Sequence, residues 1–288
     1  AGIDMPVYSG FPHGHDSGNR SIDFDRSLTI GPSGLAVFAS YAAAPDEIDN
    51  SLTETDLTAA VRDAGFLYTA TASACASGKS AAMAFDGVKT HAAAQWWQSP
   101  TDGGVNQWLQ YQFNDEFQPG KGIYLTSYSI YDQQTDTGTG TSKKMPKDWT
   151  LEGSNDGVIW TLLDTRSGYT SWKHQTWSTF DIATVHGCFR HYRFNFTAVQ
   201  ATKEDCQWYR MHEIAFNGYV LASPSSRINT YVGEADGDWN EGANWTFGVP
   251  VADDYVVIPG GKSVTLRGES AALNLLYAFA QQKAAGAL

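Results

Sequence analysis

Side chains that could do chemistry fall into a few short groups. His13 and His15 stand beside Asp16 in HGHDSG, two imidazoles and a carboxylate of the kind a metal takes. No second pair of ligands follows at a useful spacing, so the stretch reads as an entry loop. Adjacent carboxylates occur at Asp115–Glu116 and Asp253–Asp254. Both pairs sit in turn-like contexts, where carboxylates are solvated rather than poised as an acid and base. GPSG (31–34) and SGKS (77–80) lack the glycine spacing of a nucleophile elbow or a phosphate loop. No catalytic set emerges, and the chain is expected not to be an enzyme.

The stretch AFDGVKTHAAAQWWQSP (84–100) is different. An Asp-Gly turn at Asp86–Gly87 runs within a few residues into Trp96 and Trp97. In a strand, neighbouring side chains point to opposite faces, so only one of the two rings is buried by the sheet. Trp97 is assigned to the core and Trp96 to the loop side, with the reverse parity open.

Composition narrows the class. Trp numbers 10, aromatics make up 13% and charged residues only 17%, with 28 Gly. This mix suits a β-rich extracellular protein. The formal charge of -12 repels phosphate backbones and argues against nucleic acid as a partner. It suits cations, neutral sugars or plain solubility. Cys75, Cys188 and Cys206 are odd in number, so at most one disulfide closes within the chain. Cys188 and Cys206 are the nearer pair; the other reading is three buried thiols acting as small apolar residues. No apolar run reaches membrane-spanning length, and membrane insertion is not expected. The opening AGID fits a processed secreted chain or loss of an initiator Met.

Elements must then position these groups. Residues 1–66 read as an accessory segment of strand-like runs broken by Gly and Pro. It ends in a short helix in TETDLTAAVRDAG, with Thr53 as N-cap, Asp56 at the third helical position and Gly65 closing it. Residues 67–220 carry period-two alternation in QWLQYQF, LTSYSIYDQ, KDWTLEGS, WTLLDT, HYRFNFTAV and YRMHEIAFNGYV, separated by Gly-, Asn- and Asp-rich turns. Many short strands so spaced indicate an antiparallel sandwich or jelly roll. Residues 221–288 begin with a Ser/Pro linker, LASPSSR, and continue with two or three short strands. The Ala-rich end is read as a helix, with further β structure as the alternative.

The middle segment resembles the discoidin, or coagulation factor five/eight type C, domain, whose superfamily includes the family-32 carbohydrate-binding modules. The resembling stretches are AMAFDGVKTHAAAQWW, QWLQYQF, SYSIYDQ, PKDWTLEGSNDGVIWTLLD, FRHYRFNFTA and MHEIAFNG, in the family's order. The most specific is a strand, an Asn-Asp-Gly turn, then a strand starting at Trp. The resemblance implies an all-β, galactose-binding-like jelly-roll sandwich with smaller N- and C-terminal accessory segments. DWNEGANWTFGVPVADDYVVIPGGKSVTL (238–266, within the last segment) more distantly resembles a repeat unit of bacterial surface β-solenoid proteins.

The family's structural Ca²⁺ maps onto the Asp86, Thr90 and Glu213 side chains and the carbonyls of Met83, Val88 and His212. Calcium takes about six to eight oxygens, many of them carbonyls. Gly87 would let the turn wrap tightly enough for them to converge, and Glu213 would tie the first turn to the last strand. In DGVKT, Thr follows Asp by four residues where the family often has five. That departure would alter one carbonyl ligand or lose the metal. In the alternative reading, Asp86 caps its own turn and Glu213 joins a surface pair.

Sugar contacts in such modules come from loops at one end, with an aromatic platform and polar groups aimed at hydroxyls. The candidates are His91, Gln95, Trp96, Asp132, Gln133, Lys144, Trp172, His174, Gln207 and Trp208. Trp108, Trp149 and Trp160 are assigned to core or inter-sheet packing, and Trp172 and Trp208 have the alternative of covering the ends of the sandwich. Galactose sites in the family often use an Arg and an Asn from the loop after SYSIY; here DQQTDTGTGTSKK has neither. The resulting expectation is a non-catalytic extracellular binding or adhesion protein that recognises glycans. The alternatives are a structural subunit of a surface array, filament or virion that uses the sandwich for self-assembly, and an accessory module of a secreted glycoside hydrolase.

Overall fold

The structure is a computed structural model. It describes residues 54–90, 95–132, 144–200, 207–251, 254–257 and 262, together with the strands at 21–22, 28–30, 263–266 and 270–271. His13, His15, Asp16, Thr53, His91, Gln133, Cys206 and Asp253 lie outside these residues, as does most of the Ala-rich end.

In chain order the elements are β1 (Ser21–Ile22), β2 (Leu28–Ile30), β3 (Thr55–Asp56), helix α1 (Leu57–Asp63), β4 (Tyr68–Ala72), β5 (Trp97–Gln98) and β6 (Gln107–Phe113). There follow β7 (Gly122–Asp132), β8 (Pro146–Ser154), β9 (Thr161–Arg166), β10 (Thr176–Asp181), β11 (His191–Val199), β12 (Arg210–Met211) and β13 (Glu213–Leu221). The last are β14 (Arg227–Thr230), β15 (Asp236–Asp238), β16 (Asp254–Val257), β17 (Ser263–Leu266) and β18 (Ser270–Ala271).

Two antiparallel sheets make the sandwich. One is ordered β4-β6-β11-β8-β9, the other β10-β7-β13-β3. The period-two pattern decides what goes between them. In β6 every second residue is buried, and Leu109, Tyr111 and Phe113 meet Tyr192, Phe194 and Phe196 of β11 in one apolar cluster with Tyr128, Ile130, Ile214 and Phe216 of the facing sheet. Phe194 stacks on Phe216 across the layers at 5.9 Å. One chain of buried polar atoms in this core is paired: Trp149 Nε1 donates to the Tyr128 hydroxyl (2.8 Å), which donates to Asp164 (2.7 Å), whose carboxylate also takes Arg166 Nε (2.7 Å).

Trp149 is in the core as expected, but Trp108 and Trp160 are not. Both are half-buried and flank the Arg193 guanidinium, whose centre lies 4.8 and 4.0 Å from their ring centroids. The cause is parity. Trp108 shares the outward face of β6 with Gln110, which accepts from Arg193 Nε and Nη2. Indole and guanidinium cover each other there, so the exposed side of the sheet hides apolar area without a second layer.

The helix forms, with a different N-cap. Asp56 rather than Thr53 caps it, accepting from the Ala59 N–H at 2.9 Å, because β3 keeps the chain extended up to Asp56 by pairing with β13. Gly65 ends it at φ +74, with Phe66 N–H on the Val61 carbonyl and Gly65 N–H on the Arg62 carbonyl. Leu57 and Val61 enter the sandwich core. The end of the N-terminal accessory segment is thus built into the sandwich. Cys188 is a free, buried thiol that donates to the Ser226 carbonyl at 3.3 Å, which corrects the expected pairing with Cys206; Cys75 is free and exposed.

Beyond Leu221 the pairing changes to parallel. Arg227 of β14 pairs with Asp254 of β16, and Asp236 of β15 with Ser263 of β17. The offset is 27 residues in both ladders, which is the geometry of one coil laid on the next. Trp239, Trp245 and Tyr231 pack inside it, and Arg227 forks onto the fully buried Asp254 at 2.7 and 2.9 Å. Asp254 is therefore paired and buried, not solvated as its turn-like sequence suggested. β2 adds antiparallel to β17 and β1 to β18.

Candidate functional site

Two groups of expected residues are drawn together, one at the Asp-Gly bend and one at the rim beside it.

At the bend, Gly87 adopts φ +81, which turns consecutive N–H groups inward. Val88 N–H donates to Asp86 Oδ1 at 2.8 Å, so Asp86 caps its own turn. Gly87 N–H donates to Glu213 Oε2 at 2.9 Å, across 126 residues of chain. Glu213 opens β13 and is 3% exposed, so it is not a member of a surface pair. Its Oε1 faces Arg62 Nη1 of α1 at 3.6 Å. That guanidinium lies on the turn itself: a Cβ at position 87 would come within 2.9 Å of Arg62 Cζ and Nε.

Burial pushes the Glu213 carboxyl up to about 8, the neighbouring Asp86 charge adds to the rise, and Gly87 N–H and Arg62 oppose it. Burial likewise raises Asp86, against the Val88 N–H and Arg62. Two carboxylates thus crowd one bend in a low dielectric with a single guanidinium beside them. Their hard oxygens fit a divalent cation of the calcium type, which would relieve that crowding. Thr90 is exposed near the same turn, Met83 and Val88 are half-buried, and His212 is fully buried. Among the described residues no three His, Cys, Asp or Glu side chains gather in one place. The expected set asks for only two carboxylates, the remaining donors being a hydroxyl and carbonyls.

At the rim, β5 pairs with β12, joining Trp97 to Met211 and Gln98 to Arg210. Trp97 is fully buried, stacked on Phe196 at 5.9 Å with Nε1 on the Ala74 carbonyl. Trp96 points the other way, as alternation requires, yet is only 8% exposed. Its ring is enclosed by Lys79 Nζ at 3.5 Å, the Arg210 guanidinium at 4.6 Å and the His212 ring at 5.4 Å. Arg210 also lies 5.4 Å from the half-buried Trp208, which meets Lys144 Nζ at 4.6 Å. Three cations and two indoles therefore alternate along one rim. Gln98 accepts from Trp96 Nε1 at 3.3 Å, Gln95 is half-buried beside Trp96, and Gln207 is exposed next to Trp208.

Of the expected ligand residues, Trp96, Trp208 and Lys144 meet here. Trp172 does not: it is buried against Trp149 and Phe180, with Nε1 on the Pro146 carbonyl at 2.7 Å, and belongs to the core. Asp132 ends β7 fully buried, its carbonyl taking the Gln175 N–H; His174 is exposed beside that contact. Lys79 and Arg210 were missed. Lys79 lies in SGKS, judged only as a phosphate loop, and Arg210 lies in YRM, judged only as strand.

Two facing antiparallel sheets, with the opening bend tied to the last long strand, make this an all-β jelly-roll sandwich. Solved structures similar to it are family-32 carbohydrate-binding modules and factor five/eight type C domains. One is a family-32 module from Clostridium perfringens in complex with GalNAc-β-1,3-galactose, with 12% identity and a TM-score of 0.38 over 52% of this chain and 94% of that one. Another is a family-32 module in complex with 4,5-unsaturated mannuronic acid, with 13% identity and a TM-score of 0.37 over 51% and 92%. A third is a factor five/eight type C domain from Bacteroides fragilis, with 13% identity and a TM-score of 0.39 over 54% and 93%. No protein-family model and no curated protein matches the sequence.

Proposed function

We propose that the chain is a non-catalytic extracellular module that binds glycans at the rim formed by Trp208, Lys144, Gln207, Arg210 and Lys79. The observation that carries this reading is the alternation of indoles with cationic donors along that one rim. A pyranose offers an apolar C–H face and a ring of hydroxyls. The half-buried Trp208 supplies a surface for the first, and the ammonium, guanidinium and amide groups supply donors for the second. Trp96 is enclosed by its neighbours and acts as the post against which Lys79 and Arg210 are held. A Ca²⁺ ion at Asp86, Thr90 and Glu213, with carbonyls of Met83, Val88 and His212, would serve as a structural clamp between the bend and β13. No helix among the described residues is long and apolar enough to cross a membrane.

A glycan array followed by calorimetry on the best ligand tests the proposal. Trp208→Ala and Lys144→Ala are expected to weaken binding about tenfold or more while leaving the melting temperature nearly unchanged. A blank array, or a ligand whose affinity survives both changes, would remove the rim as the binding site.

A further inference from the structure

The calcium reading has an obstacle built into the chain. Each oxygen of Glu213 already faces a donor: Oε2 takes the Gly87 N–H at 2.9 Å, and Oε1 faces Arg62 Nη1 at 3.6 Å. The Arg62 guanidinium covers the left-handed turn so closely that any side chain at position 87 would strike it. It lies on the bend beside both carboxylates, and its charge already offsets part of the repulsion between Asp86 and Glu213. A guanidinium and a divalent cation repel strongly at this range, so the same carboxylate does not hold both in contact.

We infer that Arg62 is an internal rival of calcium at Glu213: it fills the metal-free bend, must leave for the ion to enter, and thereby sets the calcium affinity of the module. This rests on the calcium reading given above. The exit is visible. Arg62 is 31% exposed, and its Nε already contacts the exposed Asp63 carboxylate at 3.2 Å, so the side chain can move toward solvent without losing every partner. Arg62 comes from α1, whose Leu57 and Val61 stay anchored in the core, so the exchange needs a rotamer change and not an unfolding step.

The two states make opposite demands on one residue, and that gives a crossed test. Calcium binding is measured by calorimetry and by terbium luminescence on the whole chain, with melting in chelator and in calcium, for wild type, Arg62→Gln and Arg62→Lys. Arg62→Gln is expected to melt lower than wild type in chelator, to bind calcium about tenfold or more tightly, and to gain more from calcium on melting. Arg62→Lys keeps the charge without the planar fork and is expected to fall between the two; it also serves if Arg62→Gln does not fold. Calcium binding equal to or weaker than wild type in the folded variants would overturn the rivalry and leave the calcium reading standing. Absence of binding in every protein would remove the calcium reading and the rivalry with it.

Discussion

Replacing Glu213 by Gln probes the bend most directly. Gln keeps an oxygen for the Gly87 N–H and nearly the same volume, but carries no charge. In the folded protein the Glu213 carboxyl is raised from its ordinary 4.5 to about 8, mainly by burial and then by Asp86. A raised carboxyl favours the protonated form in the native state. Its contribution to stability is therefore complete below the ordinary range of Glu and is lost as pH climbs through about 8. At about 1.4 kcal/mol per unit, the full loss is on the order of 4 to 5 kcal/mol, an upper bound for metal-free protein. The assay is urea denaturation in chelator at a series of pH values, read as the difference between wild type and Glu213→Gln. The two are expected to match near pH 5 and to diverge toward pH 8.5, where the variant is the more stable. In calcium the order reverses, because the ionised wild-type carboxylate holds the ion more strongly than a neutral amide oxygen does. If Glu213→Gln is the less stable protein at pH 8.5 in chelator, the attraction of Arg62 for an ionised Glu213 outweighs its desolvation, and the reasoning fails.

Three further outcomes follow from the packing. Gly87→Ala sets a Cβ 2.9 Å from the Arg62 guanidinium at a positive φ, and should cost about 1 to 3 kcal/mol in urea unfolding, with Arg62→Ala relieving part of the loss. Trp97→Ala empties a fully buried site against Phe196 and should cost about 3 to 5 kcal/mol, whereas Trp160→Ala on the outer sheet face should cost clearly less. Burial pushes the Cys188 thiol up to about 12, so a thiol reagent on native protein at pH 8 should label Cys75 and reach Cys188 only after denaturant is added.

Strands were legible where period-two alternation met aromatic and β-branched residues. β6 and β11 fall on the expected residues, and β7, β8 and β9 differ by a few residues at their ends. β10 was hidden because TSWKHQTW reads as an aromatic loop, although Thr176 opens a strand that pairs along β7. The face a Trp takes was less legible than the strand that carries it. Trp108 and Trp160 were placed in the core by size alone, when parity within β6 and Arg193 on the neighbouring strand β11 decide otherwise. Trp172 was taken for a loop platform, but its indole N–H finds a buried carbonyl that local sequence does not announce. The three missed partners at the two sites are all cations. Arg62, Lys79 and Arg210 act on groups far away in the chain, and only the closed sandwich brings charge and target together.

β13 links the two halves of the molecule in a particular direction. It begins at Glu213, just after the rim residues Trp208 and Arg210, and ends at Leu221, a few residues before β14 starts the parallel coil. Between those points it is laced to β7 from Glu213 opposite Tyr131 to Leu221 opposite Gly122. If the rim grips a fixed surface while the coil is pulled, tension runs lengthwise down this ribbon. Its cross-links to β7 are then loaded in shear, all together, instead of being unzipped one by one.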